Sequence, residues 1–519
     1  MTEQGNLKKT NTNGARKRKG GGSAARRAAR AKLPIIFKPT LVREIPVHEL
    51  LDSEGVALIH ETAMTILEEI GIGFNDEEAL ALWKEAGADV TETLVRIPRE
   101  LIMSLIEKAP SEFTLHARNP ERNLRVGGRN MVFHPQGGAY ITGFDGVRRR
   151  VVKADLSTFV KLTHCLPAIQ VSTGWPPFDL SDVPVPLRHL EQLYCPFRYS
   201  DKPICANLYS KEAAEDAVAM CQIVFGKDFV DNNTVTTALA NANTPLKWDA
   251  TQLEGAKVLI RAGQAVIFSP FVMYGASVPP HQLGATAQVV AESLSGVAFA
   301  QLLRPGVPAL FGNSPLGVSM KSGAPSTGVP EVMHQIYLTG QMARYYKLPW
   351  RNTGPMSGAK VVDYFAGHDA ALRAHASILA GANWLTHCCG ALESGMHLSF
   401  AKLVLDAELM DGCFVFAKGL NYSDLETVKE MMQNIGDEGH FLGADYTREN
   451  LSFIPHLQDN ETHDTWALNG SKTAYDRGLE AARNLLDRYE DVEPPLDRGI
   501  DEALREFVNK REAAFSKRS

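Results

Sequence analysis

The sequence predicts an α/β chain, a (β/α)8 TIM barrel with an N-terminal helical region and a C-terminal helical extension. Three observations predict it. Between about residues 131 and 390 lie eight short apolar runs: 131–134, 170–173, 204–208, 235–242, 265–272, 308–313, 349–353 and 384–390. Each is followed by a stretch of helical spacing, at intervals of roughly 30 to 43 residues, the sequence form of a closed parallel barrel. The chain has 519 residues, room for a barrel of about 250 residues plus additions at both ends. Most runs end in a polar or aromatic residue, and in such a fold chemistry sits where the strands finish.

Four regions follow. Residues 1–32 carry ten Lys or Arg against one acid, Glu3, a local balance of +9 that leaves −15 for the rest of a chain whose net charge is −6. So basic and Gly/Ala-rich a tail cannot bury enough apolar surface to fold alone, and it reads as a disordered, solvated extension. Residues 33–125 form an N-terminal helical and β region. Its first helix has Ser53 as cap, an apolar face of Val56, Ile59, Met64, Ile66, Leu67 and Ile70, and Gly71 as stop. A second helix covers 76–86, and a third starts with Pro98 at its first position. Residues 113–117, 124–126 and 140–143 read as β, with Asp145-Gly146 as a hairpin turn. The barrel occupies 126–420, its linking helices falling at 155–166, 186–193, 211–225, 249–261, 280–303, 328–346, 367–380 and 398–417. In the extension, 421–519, residues 451–457 read as irregular and amphipathic helices cover 473–489 and 500–515, the latter after Pro494-Pro495. A doubly wound open sheet is the alternative. It needs a Gly-rich loop opening a helix, and Gly137-Gly138-Ala139-Tyr140 opens none.

Composition excludes several classes. With 44% hydrophobic and 22% charged residues the chain is ordinary for a globular protein. No apolar run approaches the roughly 20 residues of a membrane span, and the start lacks the core of a secretory signal. Seven cysteines without short pairing read as reduced thiols in a cytoplasmic protein. A nucleic-acid partner is not expected, nor is a membrane; a homo-oligomer is.

Candidate functional residues cluster at strand ends. Trp175, Tyr209, Phe271 and Tyr274 lie at or just beyond strand ends, Trp350 within the seventh run, and Tyr140 in the hairpin after the first. Rings converging on one barrel mouth form a box for a cation, worth about 0.5–2 kcal/mol per desolvated contact. A second set is polar: His134, Gln136, Asn207, Asn241, Asn243, Asn313, Asn352 and His387, suited to orienting a ligand such as a carboxylate. Glu393 lies between Gly390 and Gly395, where a carboxylate can neutralise a bound cation or cap the next helix. Asp363 and His368 are each candidate caps of the helix after the seventh strand. No metal site is expected: Cys388 and Cys389 are neighbours on a strand and point to opposite faces. HExxH, CxxC, GxSxG and P-loop patterns are absent, so no conventional protein nucleophile is indicated.

Residues 353–367 (TGPMSGAKVVDYFAG), 378–383 (ILAGAN) and 390–395 (GALESG), with 115–120 (LHARNP), 125–128 (RVGG) and the helix start at Asp155-Leu156, resemble the trimethylamine methyltransferase superfamily across roughly residues 33–515. The resemblance implies corrinoid-dependent methyl transfer, in which no cofactor is bound permanently and cobalamin is supplied by a partner corrinoid protein as cob(I)alamin. The methylamine branch inserts pyrrolysine, and this chain has no nonstandard residue; members without it resemble demethylases of quaternary amines such as glycine betaine. On that reading the catalytic residues are Glu393 and His387, and the substrate is bound by His134, Tyr140, Trp175, Tyr209, Asn241, Phe271, Tyr274, Asn313, Trp350 and Asn352. A non-corrinoid barrel enzyme acting on a small amine or acid, and a noncatalytic quaternary-amine binder, stay open as alternatives.

Overall fold

Parallel pairing orders the apolar runs. The computed structural model describes residue 35 and residues 37–437, 439–451 and 455–517; the basic tail, 1–32, lies outside them. Seven of the eight runs are strands: β1 (Asn130–Phe133), β2 (Ile204–Ala206), β3 (Thr236–Ala242), β4 (Ala265–Met273), β5 (Ala309–Gly312), β6 (Trp350–Thr353) and β7 (Trp384–Thr386). From β2 to β7 each strand pairs in parallel with the next, and β7 pairs in parallel with β1.

The eighth run, 170–173, departs from expectation in being no regular strand. It still joins β1 to the chain before β2: Gln170 N donates to Phe133 O at 3.1 Å, and Ser172 N to Pro203 O at 3.0 Å. Pro203 has no N–H to donate back, which breaks the ladder, and the Gln170 side chain takes the Phe133 N–H at 2.9 Å instead. Hydrogen bonding thereby passes from β1 through 170–173 and β2 to β7, and returns to β1.

A helix follows each run: α1 (Lys153–Cys165), α2 (Arg188–Tyr199), α3 (Lys211–Phe225), α4 (Ala250–Arg261), α5 (Gln282–Leu303), α6 (Pro330–Tyr345), α7 (Tyr364–Leu379) and α8 (Phe400–Ala417). Side-chain caps start five of them: Ser210, Asp249, His281, Asp363 and Ser399 each accept a backbone N–H of the first turn. Asp363 rather than His368 is the α7 cap, so α7 begins three residues before the expected start at 367. Helix α5 is long and apolar enough to cross a membrane, yet 89% of its most apolar window is buried. It packs against the helix Ser53–Thr65 as a core element.

Strand alternation sorts side chains into two cores. Val132, Val171, Leu239, Ile267, Leu310 and Trp384 form one cluster inside the ring. Their neighbours Phe133, Ala238, Ala240, Phe268, Phe311 and Leu385 join the larger core shared with the helices. Inward positions at the carboxyl ends therefore fall two residues on, at His134, Thr173, Asn241, Ser269 and Thr386.

The N-terminal region holds three strands that helical spacing hides: Ile72–Phe74, Asp89–Thr91 and Leu94–Arg96, joined by Lys247–Trp248 from the loop after β3. Asp52, not Ser53, caps the first helix. Pro98 occupies the cap position, with the helix running over Arg99–Ile106. Tyr140–Thr142 and Arg148–Arg150 form the expected hairpin, and His397–Ser399 runs parallel to its first strand. The extension contains helices Leu425–Ile435, Asp445–Asn450, His463–Leu468, Ala474–Asp487 and Arg498–Ser516. Residues 452–454, within the stretch read as irregular, lie outside the described residues.

Candidate active site

A buried guanidinium crosses the inside of the ring. Arg351 on β6 pairs in register with Trp384 and Gly312, which faces it inward, and it is 1% exposed. One Nη1 donates to Ser269 Oγ at 3.1 Å and to Asn313 O at 2.8 Å, and Nη2 donates to Thr386 Oγ1. Its Nε is buried without a hydrogen-bond partner. Burial first, then the nearby Arg373 charge, lowers its pKa to about 9, so it remains a cation at neutral pH.

Two imidazoles share this interior, both held neutral. His134 accepts the Trp384 indole N–H at Nδ1, 3.3 Å away, and its Nε2 lies 3.5 Å from Thr173 Oγ1. Burial, with Arg351 nearby, pushes its pKa down to about 3. His387, in the left-handed region at φ 58°, sits with Nδ1 2.6 Å from Gln136 Oε1. Gln136 Nε2 donates to the carbonyls of Gly137 (2.6 Å) and Gly395 (2.5 Å). That fixes the amide, so Oε1 accepts from His387 Nδ1–H and leaves Nε2 of His387 as a bare acceptor. Burial holds His387 well below its usual pKa, with Arg351, His134 and Arg373 adding to the shift.

Glu393 has a partner of its own. Arg148 grips it bidentately, Nε to Oε1 at 2.6 Å and Nη2 to Oε2 at 2.7 Å, and His397 Nδ1 lies 3.3 Å from Oε1. The hydrogen bonds from Arg148 lead the lowering of the Glu393 pKa. The same guanidinium lies 3.8 Å from the centre of the Tyr140 ring. Tyr140 thus holds a cation already, and it belongs to the chain. A cavity of about 460 Å³ adjoins the pair, lined by Thr142, Lys360, Leu392, His397 and Tyr475 among others.

The remaining candidates separate into those near this site and those outside it. Trp175 packs on the ring-interior cluster and bridges to Gln136, which brings it next to the His387 support. Asn241 stands on the inward face of β3. Tyr209 and Phe271 are 44% and 42% exposed, Tyr209 on the loop after β2 and Phe271 near the end of β4. Tyr274 is tied to Gln282 at the start of α5 and to Gln335 in the second turn of α6. Three others face the helices: Trp350 lies against Gly340 of α6, Asn313 donates to Thr339 of α6 and Asn352 to Ser377 of α7, each at 2.8 Å. These three are not brought together with His134 and His387. The residues that strand-end reading missed are Arg351 and Arg148. A full charge inside a predicted strand was the signal for Arg351, since arginine is almost never wholly buried without a reason.

The carboxyl ends of these parallel strands thus gather neutral imidazoles, an indole and a guanidinium into one buried polar cluster. The chain belongs to the trimethylamine methyltransferase (MTTB) family, whose profile matches residues 17–516. It is 36% identical over 472 residues to a glycine betaine methyltransferase of Desulfitobacterium hafniense, covering 90% of this chain and 98% of that protein. A trimethylamine methyltransferase MttB of the same species is 25% identical, covering 89% and 94%. A proline betaine:corrinoid methyltransferase of Eubacterium limosum is 26% identical, covering 77% and 84%.

Proposed function

We propose that this chain transfers a methyl group from a betaine-type quaternary amine to the corrinoid of a separate protein. One observation carries the reading: 36% identity to a glycine betaine methyltransferase along nearly the full length of both chains. We read the ring of strands and residues 170–173 as the eight staves of a (β/α)8 barrel spanning about 126–420, its carboxyl end being the reaction face.

The chemistry suits the residues. A quaternary ammonium departs as a neutral tertiary amine, so methyl transfer needs no protein nucleophile. The cysteines support this: all seven are free and buried, and burial pushes the thiol of Cys205 up to about 12. The reduced corrinoid cobalt supplies the nucleophile when the partner is bound. The chain's task is to position the donor and exclude water. Trp175 offers a ring face to the ammonium head. His387 presents a bare lone pair at Nε2, its one proton at Nδ1 being held by Gln136, which is compatible with the polarised methyl groups of a cation. Exposed Tyr209, Met320, Val361 and Met396 lie on the loops after the strands, with exposed Phe271 near the end of β4 and Tyr364 and Phe365 in the first turn of α7. So many exposed apolar side chains at strand ends, on the following loops and at a helix start fit a protein-docking rim, where the corrinoid protein would cover the opening.

The test is a substrate panel of glycine betaine, proline betaine, choline and trimethylamine, each incubated with the enzyme and a reduced corrinoid protein, with methyl-cobalt formation followed by absorbance. Transfer from a betaine supports the reading. Transfer from trimethylamine alone, or from none, overturns it.

A further inference from the structure

We propose that Arg351 receives a carboxylate on the substrate, so that the site selects N-methylated zwitterions over simple quaternary cations. This deepens the reading above and rests on it. Arg351 is buried inside the ring at the level of the strand-end residues Ser269 and Thr386. Among the described residues no ion pair includes it. Arg373, equally buried, spends its donors on four backbone carbonyls, those of Thr353, Gly354, Pro315 and Thr327. Arg351 is less saturated. Its Nε–H has no acceptor, and Nη2 serves Thr386 alone. These two groups form one edge of the guanidinium, the fork that takes both oxygens of a carboxylate.

The surroundings supply no anion to that fork. His134 and His387 are neutral, and Glu393 is held by Arg148. A buried cation without a counter-ion is costly, and a ligand carboxylate removes that cost. The same arrangement disfavours a ligand whose only charge is positive, because no free carboxylate among the described residues is placed to meet it and Arg351 repels it. A zwitterion satisfies both halves, with its carboxylate on Arg351 and its ammonium against an aromatic ring.

Calorimetric binding by the full-length chain tests this without turnover. The probes are glycine betaine, its carboxamide (the same trimethylammonium head with the anion removed) and choline. The expected result is binding of glycine betaine, with the carboxamide and choline weaker by about 100-fold, the loss typical of removing one partner of a buried charge pair. Arg351→Met should weaken glycine betaine by a similar factor and leave choline no worse, while Arg351→Lys should retain part of the preference. Should Arg351→Met fail to fold, the carboxamide comparison in the unmodified protein stands alone. Equal affinity for betaine and carboxamide overturns the carboxylate seat and leaves the methyltransferase reading intact. No binding of any quaternary amine overturns both.

Discussion

Gln136 and His387 form a single unit: the glutamine carbonyl lies 2.6 Å from the imidazole Nδ1, and its amide is anchored on the backbone of Gly137 and Gly395. Gln136 is fully buried, so the tautomer of His387 is set by the chain and not by solvent. Gln136→Leu should leave the Nδ1–H of His387 without an acceptor and destabilise the protein by about 1–3 kcal/mol. Denaturant unfolding measures that directly. The variant should also lose methyl transfer, because the imidazole is then free to turn over.

The two buried imidazoles predict acid sensitivity with a definite sign. Both are protonated less readily in the folded chain than in the unfolded one, so the stability they contribute is complete above about pH 6.5 and falls as the pH drops. For His134 the loss continues to a pKa of about 3. His134→Gln should flatten the fall in melting temperature between neutral pH and pH 4. An unchanged profile would mean that the imidazole is protonated in place.

Glu393 predicts a second pH effect. Its pKa is lowered chiefly by Arg148, so the pair stabilises the fold above the ordinary carboxylate range and ceases to do so as pH falls through the lowered value. Glu393→Gln should reduce stability near neutrality and make little difference in strong acid. The sequence assigns this carboxylate to the substrate's cation, yet Arg148 already neutralises it. Loss of turnover in Glu393→Gln is therefore expected through a displaced Arg148 and Tyr140, with KM rising before kcat falls.

Trp350 and Trp175 separate packing from binding. Trp350 fills the space against Gly340, so Trp350→Leu should cost about 2–4 kcal/mol of stability and leave KM for the amine unchanged. Trp175→Leu should do the reverse, raising KM several-fold at little cost in stability. The measurements are unfolding curves beside steady-state kinetics on the same variants.

These contrasts show what the sequence could convey. Helix α3 matches its expected bounds, 211–225, because Ser210 and Gly226 punctuate it. The seven strands are legible because parallel strands buried on both faces give continuous apolar runs. The same continuity hides which face each residue takes, and so Trp350, Asn313 and Asn352 entered the candidate site although they point to the helices. Three-residue strands such as Ile72–Phe74 are too short to show alternation. Arg148 meets Glu393 from 245 residues away, a distance no spacing rule reaches. Arg351 was visible as a charge within a predicted strand, and only its unpartnered Nε gives it a meaning.

The central claim is that a betaine methyl leaves nitrogen for cobalt on this chain. Glycine betaine carrying deuterated N-methyl groups, mixed with the enzyme and a reduced corrinoid protein, tests it by mass spectrometry of both products. One CD3 on cobalt for each dimethylglycine released is the predicted result. Dimethylglycine without label on the corrinoid, or an unchanged donor, would contradict it.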